Sequence, residues 1–230
     1  MEEIIKLNDK LSRVYDAVRD VSFYQSNLDR CVKELSRVKD GIYLDAGCGT
    51  GNLFSYLANL VDHSTVIGVD ISREMLKRAR DKIKNTGLDA YLIRADIAHL
   101  PFKEDTLDGI ISINVLHELP DPQSFIKEAA RVIKPERNFV VSALEEKSFK
   151  NCVIPFVKDS IRNPRLLLYL PRFIFYFVMD KKIKKAPITY SYTKDELLDS
   201  LCKEGFQVDK IGTTYLRRGW LIVGRKMKKA

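Results

Sequence analysis

The sequence predicts an α/β protein with a doubly wound, mostly parallel sheet, and three observations predict it. Five short apolar runs, IYLDAG, TVIGVD, AYLIRAD, LDGIISIN and NFVVSA, follow Gly41 and are bounded by Gly, Asp and Asn. Stretches of helical periodicity separate most of them, the pattern of buried parallel strands joined by right-handed crossovers. Near the C-terminus, Gln207 to Ile211 and Leu216 to Gly224 read as two more strands, so close in sequence that only an antiparallel hairpin joins them.

Each element has its own signal. Ile4, Leu7, Leu11, Val14 and Val18, then Tyr24, Leu28, Cys31, Leu35 and Val38, fall at helical spacing with a break at Asp20 to Ser22, so two helices precede the first strand. Between the strands, helices are expected at Asn52 to Leu60, Ser72 to Asn85 and Pro122 to Ile133, the second capped by Ser72. A last helix, Lys194 to Glu204, has Thr193 as its cap and leads into the hairpin. The stretch from Glu145 to Tyr192 does not fit the alternation and reads as an insertion. One domain is expected, divided into an N-terminal helical cap (1–40), a cofactor-binding core (41–144), an apolar and basic lid (145–192) and a C-terminal helix and hairpin (193–230).

Composition excludes several classes. With 230 residues, 45% hydrophobic and 30% charged, the chain is an ordinary globular one, neither disordered nor built of repeats. Cys31, Cys48, Cys152 and Cys202 form no CxxC pair and have no neighbours at metal-ligand spacing, so a reduced, cytoplasmic chain without a structural metal is expected. The N-terminus is acidic and amphipathic, unlike a secretory signal. The formal charge of +8 suggests an acidic partner, and it is regional: eight basic residues face two acidic ones between Lys158 and Lys185.

The chemistry lies in the turn after the first strand, Asp45-Ala-Gly47-Cys48-Gly49-Thr-Gly51. Glycines there let the backbone turn sharply and approach a ligand. Nicotinamide enzymes place a GxGxxG turn at the same point; this one is GxGxG, with Asp45 two residues before Gly47. A carboxylate there suits a cationic amino-acid group better than a pyrophosphate. The second strand ends in Asp70, placed to accept ribose hydroxyls, and the third in Asp96-Ile97, placed for an adenine amino group and ring. Any one of these Asp residues is also a plausible helix cap or turn former. Three acidic strand ends in succession, with the glycine turn among them, point to one pocket, because open α/β sheets bind ligands at strand carboxyl ends.

LDAGCGTG, GVDIS, RADIAHLPF and LDGIISINVLHELPD, in that order, resemble the class I S-adenosylmethionine-dependent methyltransferases, and especially the small-molecule branch of the ubiquinone/menaquinone C-methyltransferases. The resemblance covers about Gly41 to Ala143 strongly and the terminal hairpin weakly, and it implies a Rossmann-like fold with S-adenosylmethionine as cofactor. It implies that Asp45, Gly47 and Gly49 hold the methionine part, Asp70 the ribose, and Asp96 with Ile97 the adenine. Ile71 and Met75 are implied near the adenosine, Asn114 facing the methionine part, and Tyr15 closing over the cofactor. Cys48 and Gly51 complete the cofactor loop. Cys48 sits between two glycines, where a small side chain packs, and is not read as a nucleophile. DNA-base N-methyltransferases often carry Asn-Pro-Pro-aromatic after the fourth strand; here it is Asn114-Val-Leu-His117, which disfavours that acceptor.

Methyl transfer mainly requires positioning and exclusion of water. Where the acceptor needs a base, His117 is the candidate, with Glu118 beside it either orienting the imidazole or facing solvent; a loop role for His117 stays open. Within Val153 to Met179 the densest apolar run is about fourteen residues and contains Pro171 and Arg172, whereas a membrane span needs roughly twenty. The stretch reads either as a lid alone or as a lid that also meets an anionic membrane surface or lipid. A small, hydrophobic or lipid-like acceptor is the favoured expectation. The alternatives are an RNA methyltransferase using the basic insertion with Arg225, Lys226, Lys228 and Lys229, and a binding module without turnover.

Overall fold

The computed structural model describes residues 5–6, 8–9, 12, 15–16, 22–58, 64–84, 86–144, 157–162, 164–171, 174, 192–214 and 219–228. In chain order these give α1 (Ser22–Lys33), β1 (Ile42–Ala46), α2 (Phe54–Leu57), β2 (Thr65–Asp70), α3 (Arg73–Ile83), β3 (Asp89–Arg94) and β4 (Gly109–Ile113). A 3-10 turn (Leu116–Glu118) follows, then α4 (Pro122–Val132), β5 (Asn138–Leu144), a second 3-10 segment (Pro164–Tyr169), α5 (Lys194–Lys203), β6 (Phe206–Thr214) and β7 (Gly219–Lys226).

The strands form one seven-stranded sheet in the order β3-β2-β1-β4-β5-β7-β6. β1 to β5 pair in parallel, and the order reverses between β1 and β4, the switch point at which a doubly wound sheet opens a crevice. The expected hairpin is present, but β7 inserts between β5 and β6, pairing antiparallel with both. The second hairpin strand thus becomes internal, and its run of buried residues, Leu221 to Val223, matches that position.

Strand alternation divides the core. Tyr43, Ile111, Val140, Leu221 and Val223 point to the face covered by Tyr24, Leu28 and Val32 of α1, Phe54 of α2 and Leu76 of α3. Leu44, Ile110, Phe139, Val141 and Ile222 point to the other, covered by Phe125 and Ile126 of α4 and Leu197 and Leu201 of α5. There the Phe125 and Phe139 rings meet edge to face at 5.6 Å.

The caps act as the sequence predicts. Ser72 Oγ accepts from Met75 N, Asp121 from Gln123 and Ser124 N, and Thr193 with Glu196 forms a reciprocal capping box. Two helix limits differ from expectation. The helix expected from Asn52 to Leu60 is regular over Phe54–Leu57, because Gly51 is left-handed (φ +75°) and the chain stays in a turn through Leu53; residues 59 and 60 lie outside the described ones. The helix expected to reach Val38 stops at Lys33; Val38 donates to Tyr43 Oη and accepts from Gly41 N, turning the chain into β1. The apolar stripe Ile4, Leu7, Leu11, Val14 and Val18 lies outside the described residues, although residues 5, 6, 8, 9, 12 and 15 are helical. Most of the insertion also lies outside them, including Val153 and Met179 and the basic residues Arg172, Lys181, Lys182, Lys184 and Lys185. Among the described residues no helix is long and apolar enough to cross a membrane.

Candidate cofactor and acceptor site

An open cleft of about 720 Å³ runs along the carboxyl ends of β1 to β4. Gly47 and Gly49 supply its wall after β1, Asp70, Ile71 and Met75 after β2, Asp96 and Ile97 after β3, and Asn114 after β4, with Tyr15 from the N-terminal segment. Nine of the residues singled out from sequence therefore share one cleft.

Local forces fix these positions. After β1 the chain reverses through Gly47 and Gly49, both left-handed (φ +75° and +52°). A Cβ on Gly47 would lie 2.4 Å from Val115 Cγ2, so that position admits no side chain. Gly47 N and Cys48 N both donate to Val69 O, which fastens the loop to the end of β2. Asp70 is gripped by the main chain: Gly49 N donates to Oδ2 and Ser72 N to Oδ1, each at 2.8 Å. Burial nevertheless raises its pKa, with those N–H groups opposing the rise. Asp96 accepts from Ala98 N at 2.9 Å, an Asx turn that holds its carboxylate at the cleft. Asn114 takes the left-handed conformation (φ 61°) that turns the chain out of β4, while its own N–H donates to Ser142 O.

Four expected residues stand elsewhere. Asp45, Cys48 and Gly51 lie behind the loop instead of on the cleft wall. Gly51 is the packing glycine, where a Cβ would meet Phe54 and Ala79 at 2.9–3.1 Å. Cys48 is buried against Gly68, and burial, followed by the charges of Asp45 and Asp70, pushes its thiol well above the ordinary range, so it stays neutral. His117, expected at the acceptor side, is only 7% exposed and turned into the protein. Its neighbour Glu118 lines the cleft instead. Periodicity could not decide between them, because a 3-10 turn points successive side chains about 120° apart and its orientation depends on what it packs against.

Asp45 is the most demanding group in the site. It is 3% exposed, and among the described residues its Oδ2 has no hydrogen-bond partner. Burial, with the Asp70 charge adding to it, pushes its pKa up to about 8. A buried carboxyl oxygen without a partner among the described residues costs free energy, and a cation able to reach it would offset that cost.

Sequence reasoning gave no site role to Asn8, Ala95, Ile113, Val115, Leu119 or Pro120, all of which line the cleft. Ala95 follows β3, Ile113 ends β4, and Val115, Leu119 and Pro120 come after it in a run with no special composition. Asn8 belongs to the segment that covers the site: Asp9 accepts from Ser72 Oγ, and Asp16 accepts from Thr50 Oγ1 at 2.7 Å and from Lys82 Nζ at 2.6 Å. Those contacts tie the N-terminal segment to the glycine loop and to α3.

A doubly wound sheet with a tight glycine turn after β1, and carboxylates at the ends of β1, β2 and β3, defines a nucleoside-binding α/β protein of the Rossmann-like class. Comparison with known proteins makes this specific. The family model described as a methyltransferase domain matches residues 44–141. The chain is 30% identical over 206 residues to the uncharacterized protein MJ0638 of Methanocaldococcus jannaschii, covering 86% of this chain and 83% of that one. It is 32% identical to the demethylmenaquinone methyltransferase of Bacillus cytotoxicus, a match that covers 58% of this chain and 59% of that enzyme. It is 30% identical to a phosphatidylethanolamine N-methyltransferase of Cereibacter sphaeroides, covering 58% and 67%. The match to methyltransferase GfsG of Streptomyces halstedii spans only 34% of that protein. In fold, the chain is similar to a chain of the complex between the Haloferax volcanii Trm112 methyltransferase activator and a methyltransferase (TM-score 0.74, 15% identity, 99% of both chains). It is also similar to an S-adenosylmethionine-dependent methyltransferase of Aquifex aeolicus (TM-score 0.66, 20% identity, covering 94% and 97%). The chain belongs to the class I S-adenosylmethionine-dependent methyltransferases.

The residues present fit that cofactor. S-adenosylmethionine supplies an activated methyl group on a positively charged sulfur, and its amino-acid end adds an ammonium. Asp45 offers the buried oxygen that a cation satisfies, Gly47 and Gly49 leave backbone bare, and Asp70 and Asp96 keep acceptor capacity toward the cleft. Ile71, Met75 and Ile97 supply apolar surface for a ring.

Proposed function

We propose that the chain transfers a methyl group from S-adenosylmethionine to a small, hydrophobic or lipid-like acceptor, working at the surface of a membrane from the cytoplasmic side. The observation that carries this reading is the described part of the insertion. Ile161 and Leu168 are 77% and 79% exposed, and Val157, Leu167, Leu170 and Ile174 are exposed as well, beside exposed Lys158 and Arg162. Exposed apolar side chains flanked by cations suit an anionic headgroup boundary. The cleft agrees: on its β4 side Ile113, Val115, Leu119 and Pro120 make an apolar wall. Two relatives have names that specify a quinone and a phospholipid substrate.

The RNA alternative draws less support. Of its C-terminal basic residues, Arg225 is paired with Asp209 and Glu136, and Lys226 with Asp105, so neighbouring carboxylates offset their charge.

The test is to incubate the purified protein and isotopically labelled S-adenosylmethionine with cell extract, then separate lipid, RNA, protein and polar pools. Label is expected in the lipid pool; label confined to RNA or protein overturns the reading.

A further inference from the structure

In the N-terminal segment residues 8, 9, 12 and 15 are helical, and its contacts fall into two sets. Asn8 and Tyr15 line the cleft, whereas Asp9 and Asp16, each one residue further on, bond to α3 and the glycine loop. Both pairs are seven residues apart, the spacing of two helical turns, so one face of the segment meets the cleft and the neighbouring face meets α3. Asp9 accepts from Ser72 Oγ and, at 3.4 Å, from Glu74 N at the start of α3. Asp16 is held at the other end of α3 by Lys82, whose Nζ also donates to Thr50 Oγ1 at 2.9 Å and to Asn52 Oδ1. Thr50 Oγ1 in turn donates to the Asp16 carboxylate at 2.7 Å, which closes a triangle. Thr50 and Asn52 are buried. In front of this cluster the Tyr15 ring covers Gly49, where a Cβ would lie 4.0 Å from Tyr15 Cε1.

We infer that Lys82 is a positioning residue that latches the N-terminal segment over bound S-adenosylmethionine and sets how fast the cofactor leaves. Three oxygens converge on its ammonium, one from the segment and two from the glycine loop, so a single group fixes both pieces against α3. The cleft wall at Gly49 belongs to the loop and its cover, Tyr15, to the segment, so the latch registers cover against wall. Lys82 does not itself line the cleft and acts through Asp16, Thr50 and Asn52. A partly exposed ion pair with two hydrogen bonds holds a segment without locking it, as a cover that must open for each exchange of cofactor requires. Opening uncovers both ends of the cleft, because Asn8 leaves Glu118 as Tyr15 leaves Gly49. The nature of the acceptor does not enter.

The test follows dissociation of radiolabelled S-adenosylmethionine from the whole chain, chased with excess S-adenosylhomocysteine, beside hydrogen exchange of the N-terminal segment. Lys82→Met is expected to raise the dissociation rate about threefold to tenfold with association changed less than about twofold, as loss of a charge-assisted contact to a cover would give. Exchange should quicken in the segment while β1 and β2 stay protected. Lys82→Arg should restore part of the wild-type rate. Added salt should speed dissociation from the wild type and not from Lys82→Met, because a partly exposed ion pair is screened. Asp16→Asn, which leaves α3 and the loop intact, should speed dissociation in the same way, and the double variant should be no faster than Lys82→Met, since both changes break one pair. Dissociation from Lys82→Met and Asp16→Asn no faster than from the wild type overturns the inference. An affinity lost through slower association, or lost in Lys82→Met and not in Asp16→Asn, overturns it as well, because Lys82 would then shape the loop and not hold the cover.

Discussion

On the β2 and β3 side of the cleft each carboxylate is held by main-chain N–H groups, whereas on the β4 side Glu118 is held by the side chain of Asn8, which arrives from the N-terminal segment. The first arrangement follows from strand and turn geometry and forms wherever those turns form. The second exists only when a separate piece of chain docks. One end of the cleft is thus made by local folding, and the other by the docking of a segment that is itself tied to the glycine loop and α3. A domain that keeps one donor and takes a particular acceptor needs that division.

The sharpest way to break the comparison is Asp45→Asn, which should move stability and affinity in opposite directions. The Asp45 carboxyl is raised from 3.8 to about 8 in the folded protein, so between those values the folded state holds a proton that the unfolded state has lost. Its contribution to stability is complete below pH 3.8 and is lost as pH rises toward 8. At about 1.4 kcal/mol for each tenfold change in the proton equilibrium, Asn should stabilise the ligand-free protein by on the order of 2–4 kcal/mol at pH 8 and by much less at pH 5. Thermal unfolding at the two pH values checks this, and cofactor affinity should fall in the same variant. Cofactor binding to the wild type near pH 7 should also release a proton, which calorimetry in buffers of different ionisation enthalpy reads directly.

Asp70→Ala comes next. It removes the acceptor for Gly49 and Ser72 N–H together with the proposed ribose contact, and should weaken cofactor binding about 100-fold by calorimetry. Equal affinity in that variant would place the cofactor elsewhere. The smallest effect is expected from Asp16→Ala, which loosens the N-terminal segment from Thr50 and Lys82. The Lys82 pair is partly exposed, so stability should fall by less than about 1 kcal/mol. Cofactor affinity should drop about threefold by loss of Tyr15 closure, an amount set by less than one charged hydrogen bond. A larger loss would mean that the β2 and β3 side also depends on docking.

Much of the β2 and β3 side of the cleft was legible in the chain. The glycine turn, the acidic strand ends and the caps at Ser72 and Thr193 are local signals, each settled within a few residues by backbone sterics and short hydrogen bonds. The β4 side was not. His117 and Glu118 are adjacent, and which one meets the cleft depends on how their turn packs over β4.

By itself, then, the order of residues determined the strand-helix alternation, the glycine turn after the first strand, and the acidic ends of the second and third strands. Three-dimensional packing decided that β7 would lie inside the sheet, that Asp45 would be buried behind its loop, and that Glu118 would face outward in place of His117. The physical reason is range. Backbone conformation and capping are set by neighbours in sequence, while burial, charge environment and the facing of a short turn are set by groups brought from far along the chain.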